Sequence, residues 1–149
     1  SRHKGTAVVE MLTNCVTFNN GSFDRIYSKE GRDENALYLE DGKPMLFGKN
    51  KEYGIVQHGF DLKVVKVGEG GYTLNDILVH DSHCTDRTLH TKLSSLEGPD
   101  FPIVLGVIRD VSIPTYEEEI EKQIEEISAK KSYHNFEELM KTQHTWTIK

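Results

Sequence analysis

Residues 6–19 read Thr-Ala-Val-Val-Glu-Met-Leu-Thr-Asn-Cys-Val-Thr-Phe-Asn, and the first six of them decide the fold class. Ala7, Val8 and Val9 are contiguous rather than alternating with polar residues. A run of this kind suits a parallel strand covered on both faces, since a half-exposed strand would alternate. Thr6 to Met11 is therefore expected to be a buried strand of an α/β fold. The apolar run stops at Thr13, and Cys15 follows in a short polar turn before Val16 and Phe18. A thiol at the carboxyl end of a strand lies where open α/β sheets place their chemistry. From the residues alone, Cys15 is either a small buried hydrophobe or a functional thiol.

Upstream, Ser1-Arg-His-Lys-Gly5 is basic and ends in glycine, a pattern of helix end and turn. A chain that opens this way is expected to be a piece of a larger protein. At 149 residues it is long enough for one cored domain or two small pieces. Its 36% apolar and 28% charged content is that of a globular chain. The net charge of −6 argues against a nucleic-acid partner. The basic start followed by a short apolar run is neither a signal peptide nor a membrane span, so a cytoplasmic protein is expected. Two cysteines, Cys15 and Cys84, are too few for a disulfide framework.

Downstream, Gly21 to Glu30 is expected to form a short helix. Ala36 to Phe47 reads as a hairpin turning at Asp41-Gly42. Tyr53–Gln57 and Phe60–Val67 read as two strands joined at His58-Gly59, with Gly70-Gly71 as punctuation. Asp86 can cap a helix from about Arg87 to Leu96, which Gly98-Pro99 ends. Ile103 to Val111 is the second strongly apolar strand. Thr115 and Glu118 form a capping box before a long helix, Pro114 to Lys131. Tyr116, Ile120, Ile124 and Ile127 share one stripe of that helix. Asn135 opens a last helix reaching Trp146, and Tyr133, Phe136 and Trp146 are expected to dock it by packing.

Few segments could carry chemistry. "GEGG" at 68–71 lacks the spacing and setting of a phosphate loop and reads as a turn. "HDSHC", His80 to Cys84, holds ligands that zinc could use. Side chains this close in sequence rarely converge on one tetrahedral ion. The simpler reading is a polar loop with Asp81 in a turn and His80 and His83 facing solvent.

Four blocks taken in order carry a family resemblance: "GTAVVEMLTNCVTFN" at 5–19, "GKPMLFG" at 42–48, "NDILVHD" at 75–81, and "FPIVLGVIRDV" at 101–111 with "PTYEE" at 114–118. They resemble the carboxyl-terminal half of the beta subunit of 2-oxoacid:ferredoxin oxidoreductases, most of all the 2-oxoglutarate type. The resemblance runs from about His3 to Lys131. It implies an α/β chain in which residues 1–35 end a thiamine-diphosphate-binding domain, 36–131 form the beta subunit's carboxyl-terminal region, and 132–149 form a helical tail. It implies oxidative decarboxylation of a 2-oxoacid to an acyl-coenzyme A, with an alpha subunit and ferredoxin as partners. The implied cofactors are thiamine diphosphate, magnesium and a four-iron four-sulfur cluster, which takes four thiolates.

Cys15 matches the fourth cluster ligand of the family; Cys84 matches none. Thr17 and Asn19 lie beside Cys15 without an assigned role. The three upstream cysteines and the G-D-G stretch that holds magnesium and the diphosphate have no counterpart in this sequence. The isolated chain is therefore expected to be inactive. The competing reading is a non-catalytic assembly module that packs on an alpha subunit. A third is a small zinc protein using His80, His83 and Cys84.

Overall fold

The computed structural model describes residues 3–141 and Trp146. The chain is mixed α/β and divides into two compact units, one of Glu10–Ser112 and one combining Ser1–Val9 with Ile113–Lys149.

The larger unit is built on five strands. β1 (Ala36–Leu39) and β5 (Ile103–Gly106) pair in parallel, with Ala36 opposite Ile103 and Leu39 opposite Gly106. β2 (Leu46–Phe47), β3 (Tyr53–His58) and β4 (Asp61–Lys66) form an antiparallel sheet in that order. The β3–β4 hairpin turning at His58-Gly59 agrees with the sequence reading. Gly54, Ile55 and Val56 are buried in succession, so β3 is covered on both faces. Gly54 leaves room for Ile77, whose Cδ1 would lie 2.5 Å from a Cβ at that position.

The Asp41-Gly42 turn forms, with Lys43 N–H donating to Glu40 O at 3.1 Å, but the expected hairpin does not. β1 leaves for β5 and β2 leaves for β3. Three backbone bonds join the segments instead: Met45 N–H to Leu78 O, Leu78 N–H to Ile55 O, and Ile55 N–H to Met45 O, at 2.9–3.1 Å. Local turn chemistry set the bend, and long-range pairing chose the partners.

The expected strand Ile103–Val111 stops at Gly106. Gly106 has φ of +105°, and a Cβ on it would stand 2.7 Å from Leu39 O. The chain turns there and Val107 O leaves the ladder to meet a histidine. The expected helix Gly21–Glu30 breaks at Ser28 into α1 (Asp24–Tyr27) and α2 (Lys29–Asn35). Ser28 is extended, and its hydroxyl accepts the Gly31 N–H at 2.9 Å, which makes it the cap of a new helix. α3 (Thr88–Ser94) follows Asp86, whose carboxylate accepts the Thr88 N–H at 2.7 Å.

The core comprises Leu37, Leu39, Met45, Ile55, Leu62 and Leu93. Thr6 to Met11 does not join it. The segment pairs with no strand, and Val8, Val9 and Met11 are 90%, 80% and 79% exposed. An apolar run becomes a buried strand only when a neighbour supplies backbone partners and a covering face, and no described residue does so.

The smaller unit carries α4 (Tyr116–Ala129) and α5 (Phe136–Lys141). The capping box forms as read: Glu118 N–H donates to Thr115 Oγ1 at 3.3 Å, and Thr115 N–H to Glu118 Oε2 at 2.8 Å. Asn135 Oδ1 accepts the Glu138 N–H at 2.9 Å and opens α5. Phe136 and Trp146 do not dock a tail, being 73% and 84% exposed. The rest of the expected last helix, at 142–145, lies outside the described residues.

Candidate functional site

Two places hold the residues that the sequence singled out. The first is the turn around Cys15. Asn19 N–H donates to Cys15 O at 2.9 Å, and the Cys15 N–H is taken by the Asn19 side-chain oxygen. Asn14 Oδ1 accepts the Gly21 N–H at 3.1 Å, and Asn14 Nδ2 donates to Asn20 at 3.3 Å. These bonds close a tight loop over 14–21 with the thiol exposed at its head. The N–H groups of Phe18 and then Thr17 hold the Cys15 thiol below its ordinary pKa, because a thiolate is a better acceptor than a thiol. Asn19 thus has a positioning role that the sequence left unassigned. A cleft of about 330 Å³ starts beside this loop, lined by Glu10, Leu12, Asn14, Phe23, Ile26, Tyr27, Arg32 and Leu105.

The second place is the "HDSHC" loop. His80 does not face solvent. It is 1% exposed, and its Nε2 meets Val107 O at 2.9 Å. The bond requires a proton on Nε2, and Nδ1 is buried without a hydrogen-bond partner. His83 is exposed as expected, with Nδ1 on Asp110 O at 2.6 Å. That carbonyl raises the His83 pKa, because an imidazolium N–H donates to it more strongly than a neutral ring does. Asp81 does make the turn, accepting the His83 N–H at 3.0 Å. Cys84 is an exposed free thiol whose carbonyl, not its sulfur, is used: Arg109 Nη1 donates to it at 2.7 Å. Among the described residues no three His, Cys, Asp or Glu side chains converge as metal ligands.

Three residues organise this loop: Asp41, which the sequence showed only as a turn residue, and His90 and Arg109, which it did not single out. Asp41 accepts the Ser82 N–H at 2.8 Å and the Ser82 hydroxyl at 2.9 Å, and both bonds hold its carboxyl below the usual range. His90, 4% exposed on α3, places Nε2 on Asp81 O at 2.8 Å and Nδ1 on Arg109 Nη1 at 3.0 Å. Arginine only donates, so His90 Nδ1 accepts and the ring proton sits on Nε2. Arg109 also donates to Thr85 O at 3.1 Å. The arrangement fixes the loop's shape.

No helix among the described residues is long and apolar enough to cross a membrane. No protein-family model matches the chain, and no solved structure matches it. Among characterised proteins, the 2-oxoglutarate oxidoreductase subunit KorB of Mycobacterium tuberculosis is 34% identical over 153 aligned residues. The alignment covers 99% of this chain and 40% of that protein. Across nearly all of its residues, this chain resembles part of a 2-oxoglutarate oxidoreductase subunit.

Proposed function

We propose that the chain is the carboxyl-terminal portion of the beta subunit of a 2-oxoacid:ferredoxin oxidoreductase that acts on 2-oxoglutarate. The observation that carries this reading is the 34% identity maintained over 99% of the chain. The complete complex would decarboxylate the 2-oxoacid oxidatively to an acyl-coenzyme A, with thiamine diphosphate and magnesium bound largely by polypeptide outside this chain. Its partners would be an alpha subunit and ferredoxin.

Within that complex Cys15 would supply one of the four thiolates of a four-iron four-sulfur cluster. Three features of the loop support this role. The thiol is exposed, it is held by a closed turn, and backbone N–H groups favour its anionic form. Such a cluster passes electrons one at a time. The part played by this chain is to present the sulfur on a fixed loop, with the Asn19 side chain tying the Cys15 backbone in place.

The test uses the complete complex, purified without oxygen. Cys15→Ala is expected to lower iron and sulfide content and to weaken the cluster's EPR signal after reduction, and ferredoxin reduction should fall with them. Thiamine diphosphate content should change less. An intact four-iron signal in Cys15→Ala with unchanged ferredoxin reduction would reject the assignment.

A further inference from the structure

Helix α4 is held by its caps rather than by its side chains. None of its 14 residues is buried. A helix this short is marginal in water, and most helices draw their stability from packing an amphipathic face. The face exists. Tyr116, Ile124 and Ile127 are 78%, 58% and 52% exposed, and Ile120 lies between them half-buried. With about 100° of rotation per residue, all four fall within an arc of about 80°.

The borders of that arc are acidic on both sides. Glu119 and Glu126 follow one edge, and Glu117 and Glu121 the other. Neither ion pair found among the described residues involves any of them. The helix as a whole carries six glutamates and one lysine.

We propose that this stripe is a docking face for a protein surface with an apolar trough rimmed by lysine and arginine. The apolar centre supplies affinity through residues at helical spacing, as in other helix-in-groove contacts. The carboxylate rims select the partner by charge. A second copy of the chain would set acidic rim against acidic rim on either side of the seam. Nucleic acid and anionic lipid surfaces meet the same repulsion.

The probes are two synthetic amphipathic helical peptides with one leucine stripe, flanked by lysines in one and by glutamates in the other. Binding to the full chain is read by fluorescence anisotropy, and self-association by sedimentation. The lysine-flanked peptide is expected to bind, and to weaken as salt is raised toward physiological strength. Ile120→Gln with Ile124→Gln keeps charge and caps and should weaken binding roughly tenfold or more. Glu117→Gln with Glu121→Gln keeps the apolar stripe and should also weaken it, with helicity by circular dichroism unchanged. Equal binding of both peptides, or none of the lysine-flanked one, overturns the proposal. So does binding indifferent to the isoleucine changes, which would be electrostatic adhesion only. A homodimer that Ile124→Gln dissolves would make a second copy the occupant and overturn it as well.

Discussion

Cys15 and Cys84 are both exposed thiols, yet their surroundings differ in kind. Around Cys15 the backbone turns its N–H groups toward the sulfur; around Cys84 it is the carbonyl that is engaged, by Arg109. Replacing Cys84 with Ser in the complete complex should therefore leave iron content and turnover near those of the unaltered protein. An iron loss matching that of Cys15→Ala would contradict the reading. Arg109 has the opposite profile, since its charge matters only for position. Arg109→Met frees two carbonyls and His90 Nδ1 together, and should destabilise the larger unit by about 1 kcal/mol or more in urea unfolding. Hydrogen exchange should quicken in residues 81–86 while the β3–β4 hairpin stays protected. Cys15 could be singled out from its place after an apolar run. Arg109 could not, because its partners lie 19 to 25 residues away and no local pattern announces them.

Elements whose cause is local were mostly legible, the Ser28 cap that splits α1 from α2 being an exception, and those whose cause is a distant neighbour were not. The Thr115–Glu118 box needs only four consecutive residues, and α4 starts where that box places it. Thr115→Ala leaves the Glu118 N–H without its side-chain acceptor and should cost about 1 kcal/mol, read as helical signal lost on warming before the larger unit melts. The β3–β4 hairpin was likewise carried by adjacent strands and one glycine turn. Thr6–Met11 and Ala36–Phe47 were misread for a shared reason. Apolar content says that a segment can be buried, and partner choice says whether it is. Gly106 shows how a single residue decides an end that hydropathy does not mark. Ala at 106 must hold a φ of +105° with its Cβ against Leu39 O, so the β1–β5 pair should loosen. We expect Gly106→Ala to cost about 2 kcal/mol or more in urea unfolding. A cost below half of that would mean that β5 ends for another reason.

Across the larger unit, polar bonds tie together segments that no long sheet unites. Asp41 holds Ser82, His80 holds Val107, Ser82 O holds the Asp110 N–H, and Arg109 holds His90. The sequence showed the members of this network as separate polar residues, because only the folded chain brings the Asp41 turn against the loop at 80–85. Its stability should therefore carry a pH signature. Asp41 has a depressed folded pKa, since both Ser82 bonds need an ionised or at least unprotonated oxygen. A group of that kind contributes above its unfolded pKa, near 3.9 for aspartate, and the contribution is lost as pH falls through the folded value. His83 has the opposite sign. Its pKa is raised by the Asp110 carbonyl, so its contribution is complete below the unfolded value, near 6.5, and fades as pH rises through the folded one. Urea unfolding measured from pH 3 to pH 9 should show both flanks. Asp41→Asn should be less stable than the unaltered chain at pH 7 and should flatten the acid flank, since nothing remains at that position to protonate. Ser82→Ala should flatten the same flank only in part while leaving the carboxylate in place, because it removes the hydroxyl bond and keeps the Ser82 N–H bond, the larger cause of the Asp41 depression. His83→Gln should flatten only the flank between neutral and alkaline pH. An acid flank that survives intact in both Asp41→Asn and Ser82→Ala would place the sensitivity on other carboxylates and remove Asp41 from the centre of the loop's stability.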